Sequence, residues 1–110
     1  MIKLNGFKKI NIAVFISGQG SNLRSLIKFQ KKKSKYKINL IISNNSKAKG
    51  LNYGKRFNIK KKVFNFKNKK LSENKILSAL KINNIEIICL AGFMKVLSKN
   101  FIKKFKGKIF

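Results

Sequence analysis

The sequence contains no histidine, no aspartate and no proline, and its only acidic residues are Glu73 and Glu86. General acid–base catalysis near neutral pH usually relies on histidine or on a carboxylate whose pKa is tuned by its surroundings. The shortage of these groups argues against a complete hydrolytic or proton-transfer site. Two well-separated glutamates and one cysteine also cannot assemble a metal site, so we expect none.

Cysteine and long apolar runs are equally scarce. The single cysteine, Cys89, excludes an intramolecular disulfide and is typical of a protein in a reducing compartment, which predicts a cytoplasmic location. No apolar run approaches the ~20 residues of a membrane-spanning helix, so no membrane association is expected. With 110 residues, 44% of them hydrophobic, the chain is expected to form one domain with a modest core.

Lysine is abundant, and the formal net charge is +26. Such a charge can bind the phosphates of nucleic acid without sequence preference. Arginine, the better residue for bidentate recognition of phosphates and bases, occurs only at Arg24 and Arg56. The lysines are spread along the whole chain among asparagine, isoleucine and phenylalanine, residues whose codons are rich in A and T. An A- and T-rich genome therefore explains the high lysine content better than a nucleic-acid function does. Non-specific binding of nucleic acid stays open.

Apolar segments alternate with segments of helical periodicity. Strands are predicted at residues 10–17, 38–43, 61–66, 85–91 and, barely begun, 108–110, and helices at 21–31, 47–57, 72–83 and 98–105. Ser72 is expected to cap the third helix, with Glu73 at the positive end of its dipole. The alternation predicts an α/β fold, a Rossmann-like open and mainly parallel sheet with helices on both faces.

The carboxyl ends of the predicted strands carry the most informative sequences. In open parallel sheets, ligands bind beyond the carboxyl ends of the strands. Residues 17–22, 43–46 and 91–97 follow three of the predicted strands. We therefore expect these three segments to lie together on one rim of the sheet.

The first of them, Ser17-Gly18-Gln19-Gly20-Ser21-Asn22, joins a strand to a helix. It is not a dinucleotide fingerprint, because the third glycine would fall at Leu23, and no Gly-Lys-Ser/Thr follows as in a Walker loop. What remains is an anion-binding turn of backbone amides. The absence of a side chain at Gly20 lets an anion approach the backbone closely, and the amides of Ser21 and Asn22 face outward. The alternative is an ordinary turn with Ser21 as the helix N-cap, and the residues alone leave both open.

The second segment is AGFMKVLS at residues 91–98. Its small residues form a turn after a strand, and Phe93 and Met94 offer an apolar surface that suits a flat aromatic ligand. The alternative is a helix start with both side chains in the core.

Three stretches together resemble phosphoribosylglycinamide formyltransferase, the folate-dependent transformylase of purine synthesis. They are IAVFISGQGSNL at 12–23, ISN at 42–44 and LAGFMKVLS at 90–98. The resemblance implies that residues 10–110 form the N-terminal part of a formyltransferase domain, preceded by a basic extension at 1–9. It implies transfer of a formyl group from 10-formyltetrahydrofolate to 5'-phosphoribosylglycinamide in de novo purine biosynthesis.

The resemblance also implies which residues bind the two substrates. Those for the substrate phosphate are Gly20, Ser21 and Asn22, and those lining the pterin pocket are Met94, Lys95, Val96 and Leu97. A basic residue shortly before the third helix, usually arginine, contacts the folate in the family. Lys69 or Lys70 stands near that place, where lysine would give a less planar contact.

The family's catalytic residues have no counterpart in these 110 residues. In the family, the segment resembling residues 107–110 runs into Asn-x-His-Pro-Ser, and an aspartate follows much later. The resemblance therefore implies a chain that is inactive alone, or active only with a second chain that supplies the rest. A fragment, an interrupted gene and a split enzyme all stay open as explanations. The alternatives are another folate-dependent formyltransferase or deformylase of this fold, and a small basic nucleic-acid-binding protein.

Overall fold

The computed structural model describes residues 9–32 and 35–110, and positions 1–8 of the expected basic extension lie outside them. Along the described residues, five strands alternate with four α-helices and one short 3-10 helix. The strands are β1 (Ile10–Ile16), β2 (Tyr36–Ser43), β3 (Lys60–Val63), β4 (Ile87–Leu90) and β5 (Lys108–Ile109). The helices are α1 (Ser21–Lys32), the 3-10 helix (Lys49–Leu51), α2 (Asn52–Arg56), α3 (Lys69–Ile82) and α4 (Lys99–Lys104).

The five strands form one parallel sheet in the order β3-β2-β1-β4-β5. The predicted open parallel sheet is thereby confirmed. The chain runs outward from the central β1 to β3, then returns to place β4 on the other side of β1. The order reverses between β1 and β4, and the crevice beyond their carboxyl ends is where sheets of this kind bind ligands.

Helices cover both faces of the sheet, as expected. Neighbouring residues of a strand point to opposite faces, so β1 contributes to two separate apolar clusters. One cluster joins Ala13, Phe15, Leu40 and Ile42 to Ile76 and Leu80 of α3 and Phe101 of α4. The other joins Val14, Ile16 and Ile41 to Leu23 and Ile27 of α1 and Leu51 of the 3-10 helix. Each of the valine, leucine, isoleucine and phenylalanine side chains, when fully buried, contributes about 1.5–3 kcal/mol to folding.

The expected start of α3 is wrong by three residues. The helix begins at Lys69, because Asn68 has extended backbone angles and its side chain accepts a hydrogen bond from the Leu71 amide at 3.1 Å. Asn68 is therefore the N-cap. Ser72 lies inside the helix and donates its hydroxyl to the Asn65 carbonyl at 2.8 Å. Glu73, expected at the exposed positive end of the helix, is instead buried at 6% exposure.

Several other predicted boundaries shift. The third strand ends at Val63 rather than at residue 66, because its neighbour in the sheet, β2, ends at Ser43, which pairs with Val63. Phe64 and Phe66 lie beyond it and pack against the core from a loop. The predicted helix at 47–57 divides into the 3-10 helix and α2.

Candidate functional site

The three segments expected on one rim meet at the hydroxyl of Ser17, which confirms that prediction. This hydroxyl donates to Asn44 Oδ1 and accepts a hydrogen bond from the Met94 amide at 2.8 Å. The Asn45 side chain donates to the Ser17 carbonyl at 3.4 Å. The carboxyl ends of β1, β2 and β4 are thus joined at the crevice where the strand order reverses.

Residues 18–22, called the phosphate loop here after the role that the sequence resemblance implies for them, pack against the 3-10 helix through glycines. The Gly50 amide donates to the Gly18 carbonyl at 3.0 Å. Gly20 has φ +76°, and a Cβ atom there would lie 2.8 Å from the Gly50 Cα. Only glycine fits both the backbone angle and the spacing, so the shape of the loop is fixed by sequence.

The phosphate loop ends at the N-terminus of α1. The Arg24 amide donates to the Gly20 carbonyl at 2.9 Å, which is the first hydrogen bond of the helix. Gly20 rather than Ser21 therefore occupies the N-cap position, so the reading of Ser21 as a cap is wrong. Ser21 and Asn22 are exposed in the first turn. Amides of a first turn point out of the helix end, an arrangement that suits an anion.

Residues 92–98, called the folate turn here after the role that the sequence resemblance implies for them, have Phe93 and Leu97 half-buried against the core and other side chains outside. The Phe93 ring packs edge-on against Phe15 and Phe66, with centroids 5.2 and 5.8 Å apart. Met94 and Val96 are 78% and 77% exposed. The alternative of a helix start with both side chains in the core is therefore wrong, because the helix begins at Lys99 and Met94 is exposed, while Phe93 is half-buried against the core. The turn presents a small apolar surface on the rim.

The far end of the folate turn is held by one of the two acids. Glu73 accepts hydrogen bonds from the Ser98 amide at 2.8 Å and the Ser98 hydroxyl at 2.6 Å. Ser98 in turn caps α4, accepting from the Phe101 amide at 3.1 Å. The turn is consequently fixed at Met94 by Ser17 and at Ser98 by Glu73. Sequence reasoning missed both contacts, because neither lies in a local motif.

The remaining predicted site residues flank this turn. Lys95 is exposed and Leu97 is half-buried against the core. Lys69 and Lys70 are exposed in the first turn of α3. Phe66, just before that helix, contacts Phe93, so the start of α3 lies beside the folate turn.

Neither a metal cluster nor a membrane span is found in the described part of the chain. Residues 9–32 and 35–110 bring no three histidine, cysteine, aspartate or glutamate side chains together. Within the same ranges, no helix has the length and apolarity needed to cross a bilayer.

Cys89 lies half-buried in β4, and burial raises the pKa of its thiol. We predict that iodoacetamide alkylates it more slowly in the folded chain than in urea at the same pH, since the thiolate is the reactive form. A thiol whose pKa is raised by folding contributes stability below its unfolded pKa of about 8.5 and loses it as pH rises further. Equal alkylation rates in the two states would contradict a packing role.

Comparison with known proteins points to one family. The family described as "Formyl transferase" matches residues 10–110. The chain is 40% identical over 106 residues to the human trifunctional purine biosynthetic protein adenosine-3. It is 39% identical over 102 residues to the phosphoribosylglycinamide formyltransferase of Haemophilus influenzae. The solved phosphoribosylglycinamide formyltransferase from Brucella melitensis is 37% identical, with a TM-score of 0.85.

These matches cover most of this chain and a smaller share of each relative. They span 93% of the chain and 10% of the human protein, and 89% of the chain and 48% of the Haemophilus influenzae protein. The structural match spans 93% of the chain and 55% of the Brucella melitensis protein. The chain therefore spans about half the length of the single-function relatives that it matches.

Proposed function

The chain belongs to the formyl transferase family, and from that premise we propose that it provides the substrate-phosphate site and part of the folate site of a phosphoribosylglycinamide formyltransferase. The reaction proposed is transfer of a formyl group from 10-formyltetrahydrofolate to 5'-phosphoribosylglycinamide in purine biosynthesis. A cytoplasmic location is part of the proposal and rests on the single cysteine.

The phosphate loop carries the proposal. Its support is the backbone of Gly20, which has φ +76°, packs on Gly50 and opens α1 at the strand-order reversal. Exposed Ser21 and Asn22 stand at that helix end, where a hydroxyl and an amide can add to the backbone donors. A sugar phosphate bound there would extend its other end along the rim toward the folate turn.

The folate turn supports the second half of the proposal. The pterin of 10-formyltetrahydrofolate is flat and partly apolar, with polar edges that need backbone donors and acceptors. Met94 and Val96 supply exposed apolar surface next to the backbone of Lys95. Lys69, beside the turn, is suited to a carboxylate of the folate tail. When bound, the folate supplies the activated formyl carbon.

The chain's part in the reaction is to bind and orient. With no histidine or aspartate in 110 residues, the proton transfers of an amine attack need groups outside this segment, on the same polypeptide or on a second chain. What these residues supply is proximity, by holding the amine-bearing substrate and the formyl donor on one rim.

We predict that Asn22→Ala weakens binding of 5'-phosphoribosylglycinamide about tenfold, the worth of one hydrogen bond to a charged group. Titration calorimetry with the 110-residue chain measures this. Asn74→Ala is the matched control, an exposed helical asparagine on α3. Binding that is unchanged in Asn22→Ala and vanishes with added salt would indicate attraction by charge alone and contradict the proposed phosphate site.

The nucleic-acid alternative is not favoured. Such a protein needs aromatic or arginine side chains interleaved on one exposed face. The largely exposed phenylalanines of the described residues are Phe29 on α1 and Phe110 after β5, on separate elements. The other folate-dependent formyltransferases and deformylases of this fold are not favoured either, because the matched relatives are named as a purine biosynthetic protein and as a phosphoribosylglycinamide formyltransferase.

A further inference from the structure

We propose that Ser17 is a positioning residue that couples the phosphate loop to the folate turn, so that each ligand strengthens binding of the other. This inference rests on the proposed function. Ser17 is not among the residues expected to contact either ligand; it directly precedes the phosphate loop in the chain, and its hydroxyl accepts a hydrogen bond from the folate turn.

The hydroxyl of Ser17 has a defined orientation. A serine hydroxyl has one proton to donate and two lone pairs to accept. Here the proton goes to Asn44 Oδ1, which leaves a lone pair facing the Met94 amide at 2.8 Å. Asn44 thus sets the rotation of the hydroxyl, and the hydroxyl sets the position of the Met94 backbone.

Ser17 also immediately precedes the phosphate loop in the chain, so the two share a peptide bond. Its neighbour Gly18 is held by Gly50 at 3.0 Å, and its own carbonyl by the Asn45 side chain at 3.4 Å. A ligand that orders the phosphate loop therefore restricts Ser17, and through its hydroxyl restricts Met94. No separate chain of contacts is needed, because Ser17 is bonded through its backbone to Gly18 and through its hydroxyl to the Met94 amide.

The hydrogen bond from Ser17 is what holds the Met94 backbone, while neighbouring residues of the folate turn are anchored by other contacts. Phe93 is anchored by two aromatic contacts, and Ser98 by Glu73. Met94 itself is 78% exposed, so packing does little to hold it. A first ligand that restricts Ser17 also restricts Met94, so the second ligand gives up less conformational entropy on binding, which is positive coupling.

The test measures binding of 5'-phosphoribosylglycinamide to the 110-residue chain with and without saturating tetrahydrofolate, which has no formyl group to transfer. In the unchanged chain we expect tetrahydrofolate to tighten binding about fivefold or more, the usual lower range of such coupling. Ser17→Ala should bring this factor close to one, and Ser17→Thr, which keeps the hydroxyl, should retain it. Ser78→Ala removes an exposed helical hydroxyl on α3 and should leave the coupling unchanged.

The outcomes separate the two proposals. If the unchanged chain binds neither ligand, the proposed function fails, and the coupling fails with it. If both ligands bind but show no coupling, or Ser17→Ala keeps it, only the role of Ser17 is overturned. Should Ser17→Ala fail to fold, Asn44→Ala tests the same link by freeing the hydroxyl to turn away from Met94. Coupling that survives in Asn44→Ala would then overturn the role of Ser17.

Discussion

Replacing Gly20 with alanine is expected to destabilise the fold by about 3 kcal/mol and to abolish measurable binding of 5'-phosphoribosylglycinamide. Two costs combine. At φ +76° an L side chain is strained, and the added Cβ would lie 2.8 Å from the Gly50 Cα and 3.5 Å from the Tyr53 ring. Because the nearest atom belongs to the backbone, no side chain can rotate away to make room. The phosphate loop must open, which moves the first turn of α1.

Gly18→Ala is the matched control, two positions earlier in the same loop. A Cβ atom at Gly18 would meet nothing within 4 Å, and its backbone angle is not in the positive range. We expect a change in stability within about 0.5 kcal/mol. Urea unfolding followed by circular dichroism measures both variants, and calorimetry measures their affinity for the substrate. Equal losses in the two variants would show that the loop tolerates no change at all, and the role assigned to Gly20 would be wrong.

Local sequence signals predicted the elements that form this site. The apolar run of β1, the glycines after it and the start of α1 at Ser21 lie close to where they were expected. Parallel strands placed residues 17–22, 43–46 and 91–97 on one rim, since the carboxyl ends of such strands share an edge. The contacts of Ser17 with Asn44 and Met94 bear this out.

The features that the sequence did not predict are the contacts of Ser17 and Glu73, which join distant parts of the chain, and the start of α3, where two residues could act as the N-cap. Ser17 and Met94 are 77 residues apart in the chain, and Glu73 and Ser98 are 25 apart. Nothing in the sequence near Glu73 distinguishes a buried acceptor from an exposed residue of a first turn. Asn68 and Ser72 are both residue types that favour a helix N-cap. In the structure the Ser72 hydroxyl donates to the Asn65 carbonyl, and Asn68 is the N-cap of α3.

Glu73, which holds the Ser98 end of the folate turn, is expected to contribute strongly to stability. Glu73→Gln is expected to destabilise the fold by about 2 kcal/mol, because two charge-assisted hydrogen bonds to Ser98 are replaced by one neutral acceptor and one donor. The amide nitrogen cannot accept from Ser98, so either the Ser98 amide or its hydroxyl proton loses its acceptor. For a domain of about 100 residues this lowers the melting temperature by about 10 °C.

Glu86→Gln is the control that the sequence itself provides. Each substitution removes one of the two acids and raises the formal net charge from +26 to +27, so general charge repulsion changes equally in both. Glu86 is exposed, and among residues 9–32 and 35–110 its carboxylate accepts one long contact of 3.4 Å, from the Asn11 amide. Its substitution should therefore cost less than about 0.5 kcal/mol.

Comparing the two glutamines by thermal unfolding isolates the contact with Ser98 from the charge. If Glu73→Gln is the less stable by about 2 kcal/mol, the difference belongs to the contacts of Glu73 with the Ser98 amide and hydroxyl, since both variants change the net charge equally. The folate turn would then lose its fixed end, and tetrahydrofolate binding should weaken in Glu73→Gln while Glu86→Gln binds normally. Equal melting temperatures for the two variants would mean that the buried carboxylate does not hold the turn.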